Sequence, residues 1–140
     1  MVYRIFVEKK PGLDEEAQTL LRDCRELLGI VSLDGVRVLN RYDVENITAD
    51  LFKQAVLTVF SEPQVDVTYQ TLPTWGDVSF AVAYLPGQYD QRADSAQQCL
   101  MLLNNKSDVV IKSGHIVILE GEVSDAQLEA VKHYLINPVE

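Results

Sequence analysis

VSFAVAYLPGQYDQRADSAQQCLMLL, residues 78–103, restates in outline what VYRIFVEKKPGLDEEAQTLLRDCRELL does at residues 2–28. Val2–Val7 is rich in β-branched and aromatic residues and reads as a strand, and Val78–Leu85 reads the same way. Lys9-Lys10-Pro11-Gly12 stops the first run and Pro86-Gly87 the second. A helical stripe follows each stop: Ala17, Leu20, Leu21, Cys24, Leu27 and Leu28 in one case, Ala93, Ala96, Leu100 and Leu103 in the other. Asp14, Glu15 and Glu16 fall in the first turn of the earlier helix, where negative charge complements the dipole. Gly29 is placed to end it.

The parallel extends outward from these stretches. Val36–Leu39 reads as a strand, Asn40-Arg41-Tyr42-Asp43 as a turn or bulge, and Val44–Ile47 as a third short strand. Thr48 is the expected N-cap of a helix burying Leu51, Phe52, Ala55, Val56, Val59 and Phe60. Pro63 lies beyond that helix, and Val65, Val67 and Tyr69 alternate as in a half-buried strand. Leu72–Asp77 reads as a linker. In the second half, Val109–Lys112 and Ile116–Glu120 flank Ser113-Gly114-His115, which reads as a hairpin turn, and Ser124 with Gln127 forms a capping-box pattern ahead of Leu128, Val131 and Leu135.

The halves match at an offset of roughly 75 positions, the mark of an internal repeat. Pro11-Gly12 matches Pro86-Gly87. With one residue inserted afterwards, Asp14, Ala17, Cys24 and Leu27 fall on Asp90, Ala93, Leu100 and Leu103, and Thr48, Phe52, Ala55 and Val59 on Ser124, Leu128, Val131 and Leu135. The order β-α-β-β-α-β followed by β-α-β-β-α predicts an α+β protein of two tandem ferredoxin-like units, residues 1–73 and 74–140. They would pack as a pseudo-dimer, the second unit lacking its last strand. The expectation is a piece cut from a longer chain, and an exposed sheet edge left by the missing strand would favour a homodimer of the isolated fragment.

Composition narrows the function. Of 140 residues, 47% are hydrophobic and 24% charged, a balance that favours a folded globular chain over disorder. A net charge of −9 repels a polyphosphate backbone, so nucleic acid is not an expected partner. No apolar run approaches the length that a bilayer crossing needs, the N-terminus does not read as a signal peptide, and Cys24 and Cys99 lack a CxxC spacing. A reduced, cytoplasmic setting is the expectation.

No catalytic constellation emerges. The glycines are too scattered for a phosphate-cradling loop, and GxSxG, HExxH and CxxC are absent. Cys24 and Cys99 fall within helical patterns and read as small buried hydrophobes. His115 reads as a turn residue and His133 as a helix residue, both solvent-exposed and without a second ligand beside them. No catalytic, cofactor-binding or metal-binding residue is assigned. Two segments carry more polar and aromatic groups than local structure needs. Arg41, Tyr42 and Asp43 form the first; Gln88, Tyr89, Asp90, Gln91 and Arg92, at a strand-to-helix junction, form the second. A junction needs a stop and a cap, for which Pro86, Gly87 and Asp90 suffice. The rest read as a contact surface for another domain.

VYRIFVEKKPG, GVRVLNRYDVE and FAVAYLPGQYDQRADSAQQC resemble the N-terminal region of large single-chain phosphoribosylformylglycinamidine synthases (FGAM synthase, FGAR amidotransferase). In that family the region resembles two copies of the small PurS subunit. The resemblance implies a non-catalytic part of a ligase of de novo purine biosynthesis, which converts FGAR, ATP, glutamine and water into FGAM, ADP, phosphate and glutamate. ATP and Mg²⁺ serve the full-length enzyme's synthetase and a cysteine thioester its glutaminase, and none of those groups matches a residue here. The PurS-like region would dock glutaminase against synthetase, both in the same chain, and help enclose the ammonia route. A free-standing ferredoxin-like module that binds a small regulatory molecule is the alternative.

Overall fold

The computed structural model of the chain describes residues 2–73, 78–83, 88–104 and 108–136. In chain order they form β1 (Val2–Lys9), α1 (Glu15–Glu26), β2 (Leu33–Glu45), α2 (Ala49–Thr58), β3 (Asp66–Tyr69), β4 (Val78–Ala83), α3 (Gln91–Asn104), β5 (Val110–Gly121) and α4 (Asp125–Ile136). The fold is α+β, with a five-stranded antiparallel sheet in the order β3-β1-β2-β5-β4 and four helices on one of its faces.

Local chemistry sets the helix starts where the sequence predicts them. Thr48 Oγ1 accepts from the Leu51 N–H at 3.2 Å. Ser124 and Gln127 close a reciprocal box: the Ser124 N–H donates to Gln127 Oε1 at 3.0 Å and the Gln127 N–H to Ser124 Oγ at 3.2 Å. Gly29, at φ 69°, takes the left-handed turn that ends the α1 region. Ala17, Leu20 and Cys24, then Leu51, Ala55 and Phe60, then Ala93, Ala96 and Leu100, then Val131 are the buried members of the four stripes. Leu27, Leu103 and Leu135 are exposed instead, Leu27 as the C-cap of α1, Leu103 in the last turn of α3 and Leu135 in that of α4.

Two expectations are corrected. Asn40-Arg41-Tyr42-Asp43 is not a turn: β2 runs through it unbroken, with Val7 opposite Asn40 and Arg4 opposite Asp43 on β1. Ser113-Gly114-His115 is likewise interior to β5, opposite Tyr42, Arg41 and Asn40. Strand alternation reconciles these polar residues with a sheet. Val36, Val38, Asn40, Tyr42 and Val44 face the helices, while Arg37, Leu39, Arg41 and Asp43 face the other side. Arg37 and Asp43 find cross-strand partners in Glu8 and Arg4, and Arg41 pairs with Asp43 along the strand, so no turn is needed to place them.

The core has three parts. Under α2 and α3, Ile5, Val7, Tyr42, Val44 and Ile111 meet Ala55, Phe60, Ala93 and Leu100. Under α1 and α4, Leu33, Val36, Val117 and Leu119 meet Leu20, Cys24 and Val131. On the opposite face Phe6, Leu39, Ile116 and Ile118 are buried, with Tyr69 and Leu72 packed against them. Leu72 belongs to the expected linker, of which residues 74–77 lie outside the described residues.

Strand register recurs at a fixed interval. Tyr3, Ile5 and Val7 pair with Val44, Tyr42 and Asn40. Moving every one of these by 75 positions gives Val78, Phe80 and Val82 opposite Leu119, Val117 and His115, which are the pairs observed between β4 and β5. Asn40 and His115, themselves 75 apart, stand opposite each other at the middle of the β2–β5 ladder.

Candidate functional site

The eight residues singled out from the sequence fall in three places. Arg41 and Asp43 lie on the face without helices, in a chain of charges. Arg4 binds Asp43 through two hydrogen bonds, at 2.5 and 3.2 Å, and Arg41 Nε sits 3.5 Å from Asp43 Oδ2 as an ion pair without a hydrogen bond. The bond to Asp43 pushes the Arg4 guanidinium above its ordinary value. Gly114, opposite Arg41, leaves room for it: a Cβ there would lie 3.3 Å from Arg41 Nη2 and 3.1 Å from the Val82 carbonyl oxygen.

Asp90 is a structural clamp. One carboxylate oxygen accepts from the Ala93 N–H at 3.0 Å, capping α3, and from the Ser113 hydroxyl at 2.6 Å. The other accepts from the Ser113 N–H at 2.8 Å, which ties the helix start to the middle of β5. Gln88 is exposed, as is Tyr89, whose hydroxyl donates to Asp94 Oδ2 at 2.9 Å. Of the same junction, residues 84–87 lie outside the described residues.

Tyr42, Gln91 and Arg92 come together. Tyr42 is buried with its ring 4.7 Å from that of Phe60. Above it, two depressions of about 340 and 450 Å³ both use Tyr42 and Arg92 as lining. The first runs towards α1, past Asn40 to Asp14, Glu15 and Glu16. The second runs along α3, where Gln91, Ser95 and Cys99 border it and His115 forms its floor. The floor sits between the two apolar clusters under the helices. Asn40 Oδ1, on the lining of the first depression, and His115 Nδ1, on that of the second, are both buried without a hydrogen-bond partner.

His115 therefore departs from the expected exposed turn; it is a central strand residue at the base of a cleft. His133 is exposed on α4, as expected. Cys24 is fully buried, and burial first, then Asp23, pushes its thiol above the ordinary value. Cys99 does not share that environment: it is exposed at the cleft wall. Asn40 and His115 do not stand out in the sequence as functional residues. The sequence alignment does not reach them, since with the inserted residue Asn40 falls on Ile116; it is the strand register that sets Asn40 and His115 at one interval.

On the face without helices, Glu8, Arg37 and Tyr69 form a second polar group. Arg37 grips Glu8 with two bonds of 2.8 and 2.6 Å, and the Tyr69 hydroxyl donates to the same carboxylate at 3.0 Å. Its internal pairing is complete enough to read as a strap holding β1, β2 and β3 in register. Among the described residues no group of three or more His, Cys, Asp or Glu is arranged to hold a metal ion, and no helix is long and apolar enough to cross a membrane. Comparison of the chain with protein families, curated proteins and solved structures finds no match in any of the three.

Proposed function

We propose that the chain is the non-catalytic N-terminal assembly domain of a large single-chain phosphoribosylformylglycinamidine synthase, made of two tandem ferredoxin-like, PurS-like units at residues 1–73 and 74–140. The observation that carries the reading is the register. A doublet of PurS-like units would repeat strand pairing at one offset, and the pairs of β1 with β2 recur at 75 between β4 and β5, while the β1–β3 pairing has no counterpart among the described residues. The units would pack as a pseudo-dimer whose twofold axis passes between Asn40 and His115.

In this role the chain contributes surface rather than chemistry. Leu102 on α3 is 89% exposed, with Met101 and Leu103 beside it in sequence at 45% each, a placement that suits contact with another domain better than contact with water. Tyr89, 69% exposed, extends the docking candidates to the start of the same helix. Its partners would be the synthetase and glutaminase domains of the same chain, in the cytoplasm. ATP and Mg²⁺ would be held by the synthetase.

The test is a mixing assay: this chain is added to the same enzyme lacking residues 1–140, and glutamine-dependent product formation is followed. Restored activity is expected. Full activity of the shortened enzyme alone would sink the assembly role. In the intact enzyme, Leu102→Asp, Tyr89→Ala and Arg92→Ala are expected to uncouple glutamine hydrolysis from product formation, and unchanged coupling in all three would remove this face of α3 as the contact.

A further inference from the structure

Asn40 and His115 sit where a purely structural design would place apolar side chains. They are a directly paired position of the two central strands, on the helix-covered face, with an apolar cluster on either side. Asn40 Oδ1 and His115 Nδ1 are buried there with no hydrogen-bond partner. A buried polar atom left unpaired costs free energy, and two at one spot point to a partner that arrives from outside.

The charges around the cleft say what that partner carries. Arg92 lines both depressions and, among the described residues, forms no ion pair. Across from it, the first turn of α1 brings Asp14, Glu15 and Glu16 to the rim of the first depression. Lys9, which also lines that depression, is already paired with Asp66 at 3.1 Å. A simple anion would gain Arg92 but meet three carboxylates. A simple cation would gain the carboxylates but meet Arg92. A molecule with a carboxylate at one end and an ammonium at the other satisfies both walls.

We propose that the two depressions, which share Tyr42 and Arg92 as lining, together bind a small zwitterion of the α-amino-acid class. The ligand carboxylate lies on the Arg92 guanidinium, and its ammonium donates to Asn40 Oδ1 on the acidic side. His115 Nδ1 completes the floor, as a donor to the carboxylate or an acceptor from the ammonium. Depressions of about 340 and 450 Å³ are large enough for such a molecule, and Val7, Val59, Phe60 and Ala96 in their walls leave apolar space for its side chain. This site does not depend on the assembly role: either can fail without the other.

The experiment titrates the chain at millimolar concentration with each of the twenty common L-amino acids. Glycinamide, N-acetylglycine and inorganic phosphate serve as probes with one kind of charge. Backbone amide NMR shifts and the alkylation rate of Cys99, which borders the second depression, are the readouts. At least one free amino acid is expected to move the signals of Asn40, Tyr42, Arg92 and His115 and to slow alkylation of Cys99. Its amide and N-acetyl derivatives should bind about tenfold or more weakly, as should the free amino acid to Arg92→Ala. Arg92 is exposed, so that variant keeps the fold. Asn40→Leu should abolish binding yet raise the melting temperature, since it removes a buried unpaired atom. No response to any amino acid, phosphate binding as tight as that of the best amino acid, or unchanged affinity in Arg92→Ala would overturn the proposal.

Discussion

Tyr42 has a polar hydroxyl, but the residue is 5% exposed and its ring packs 4.7 Å from that of Phe60 in a buried cluster. Tyr42→Ala is therefore expected to cost about 3–5 kcal/mol of stability, the range for emptying a large aromatic site, as read from urea unfolding midpoints. A cost under about 1 kcal/mol would show that the ring is surface material after all. Tyr69 makes a different residue-scale prediction. Burial first, and then its bond to Glu8, pushes its hydroxyl above the ordinary value of 10.0. A group held protonated in the folded state stabilises fully below its unfolded value and loses that contribution as the pH rises through the folded one. Stability measured across alkaline pH should therefore fall above about pH 10, and Tyr69→Phe should remove Tyr69's share of that fall. Identical profiles for the two proteins would refute it.

At the scale of the element, β2 and β5 are long strands although they carry residues that look like turns, and several of those residues meet partners far away in sequence. Asp43 answers Arg4, Ser113 answers Asp90, and Gly114 makes room for Arg41. Windowed reading sees Asn, Asp, Ser and Gly and infers a turn, since those residues most often serve one. The docking of α3 onto β5 depends on one of these pairs. Asp90→Ala removes a cap and two further bonds to Ser113, and is expected to cost about 2–3 kcal/mol, with Ser113→Ala costing less. A double-mutant cycle should show coupling between the two sites, and additive effects would mean that the clamp is not a unit. Gly114→Val should cost about 1–3 kcal/mol, because its branches must displace Arg41 and crowd the Val82 carbonyl.

For the whole molecule, the β2–β5 ladder is the seam where the two halves become one sheet, running from Leu33 opposite Gly121 to Glu45 opposite Val110. Residues 1–73 alone would leave β2 without its neighbour, exposing a long central edge. If the halves are related as proposed, that fragment should pair with its own copy through β2, Asn40 against Asn40, and sediment as a dimer. A folded monomer of the fragment would refute the pseudo-dimer. At the other edge, the β4 sequence Val78-Ser-Phe-Ala-Val-Ala83 has no charge to discourage pairing, and among the described residues no strand lies on its outer side. Self-association of the full chain, if measured by sedimentation, should weaken in Ala81→Lys, which puts a charge on that edge.

Periodicity, caps and stops are local, so the sequence by itself determined the helices and the order in which strands alternate with them. Thr48, Ser124 and Gly29 act on neighbours a few residues away, and a one-dimensional reading finds them. Only the tertiary structure decided that an expected turn or bulge and an expected hairpin each lie within one long strand, that Tyr42 and Arg92 share a cleft, and that Asn40 stands opposite His115. Those outcomes depend on hydrogen bonds and charges exchanged between residues dozens of positions apart, and on which of two sheet faces a side chain occupies. Sequence spacing alone carries neither quantity, since a strand's alternation tells which residues share a face but not what lies across from them.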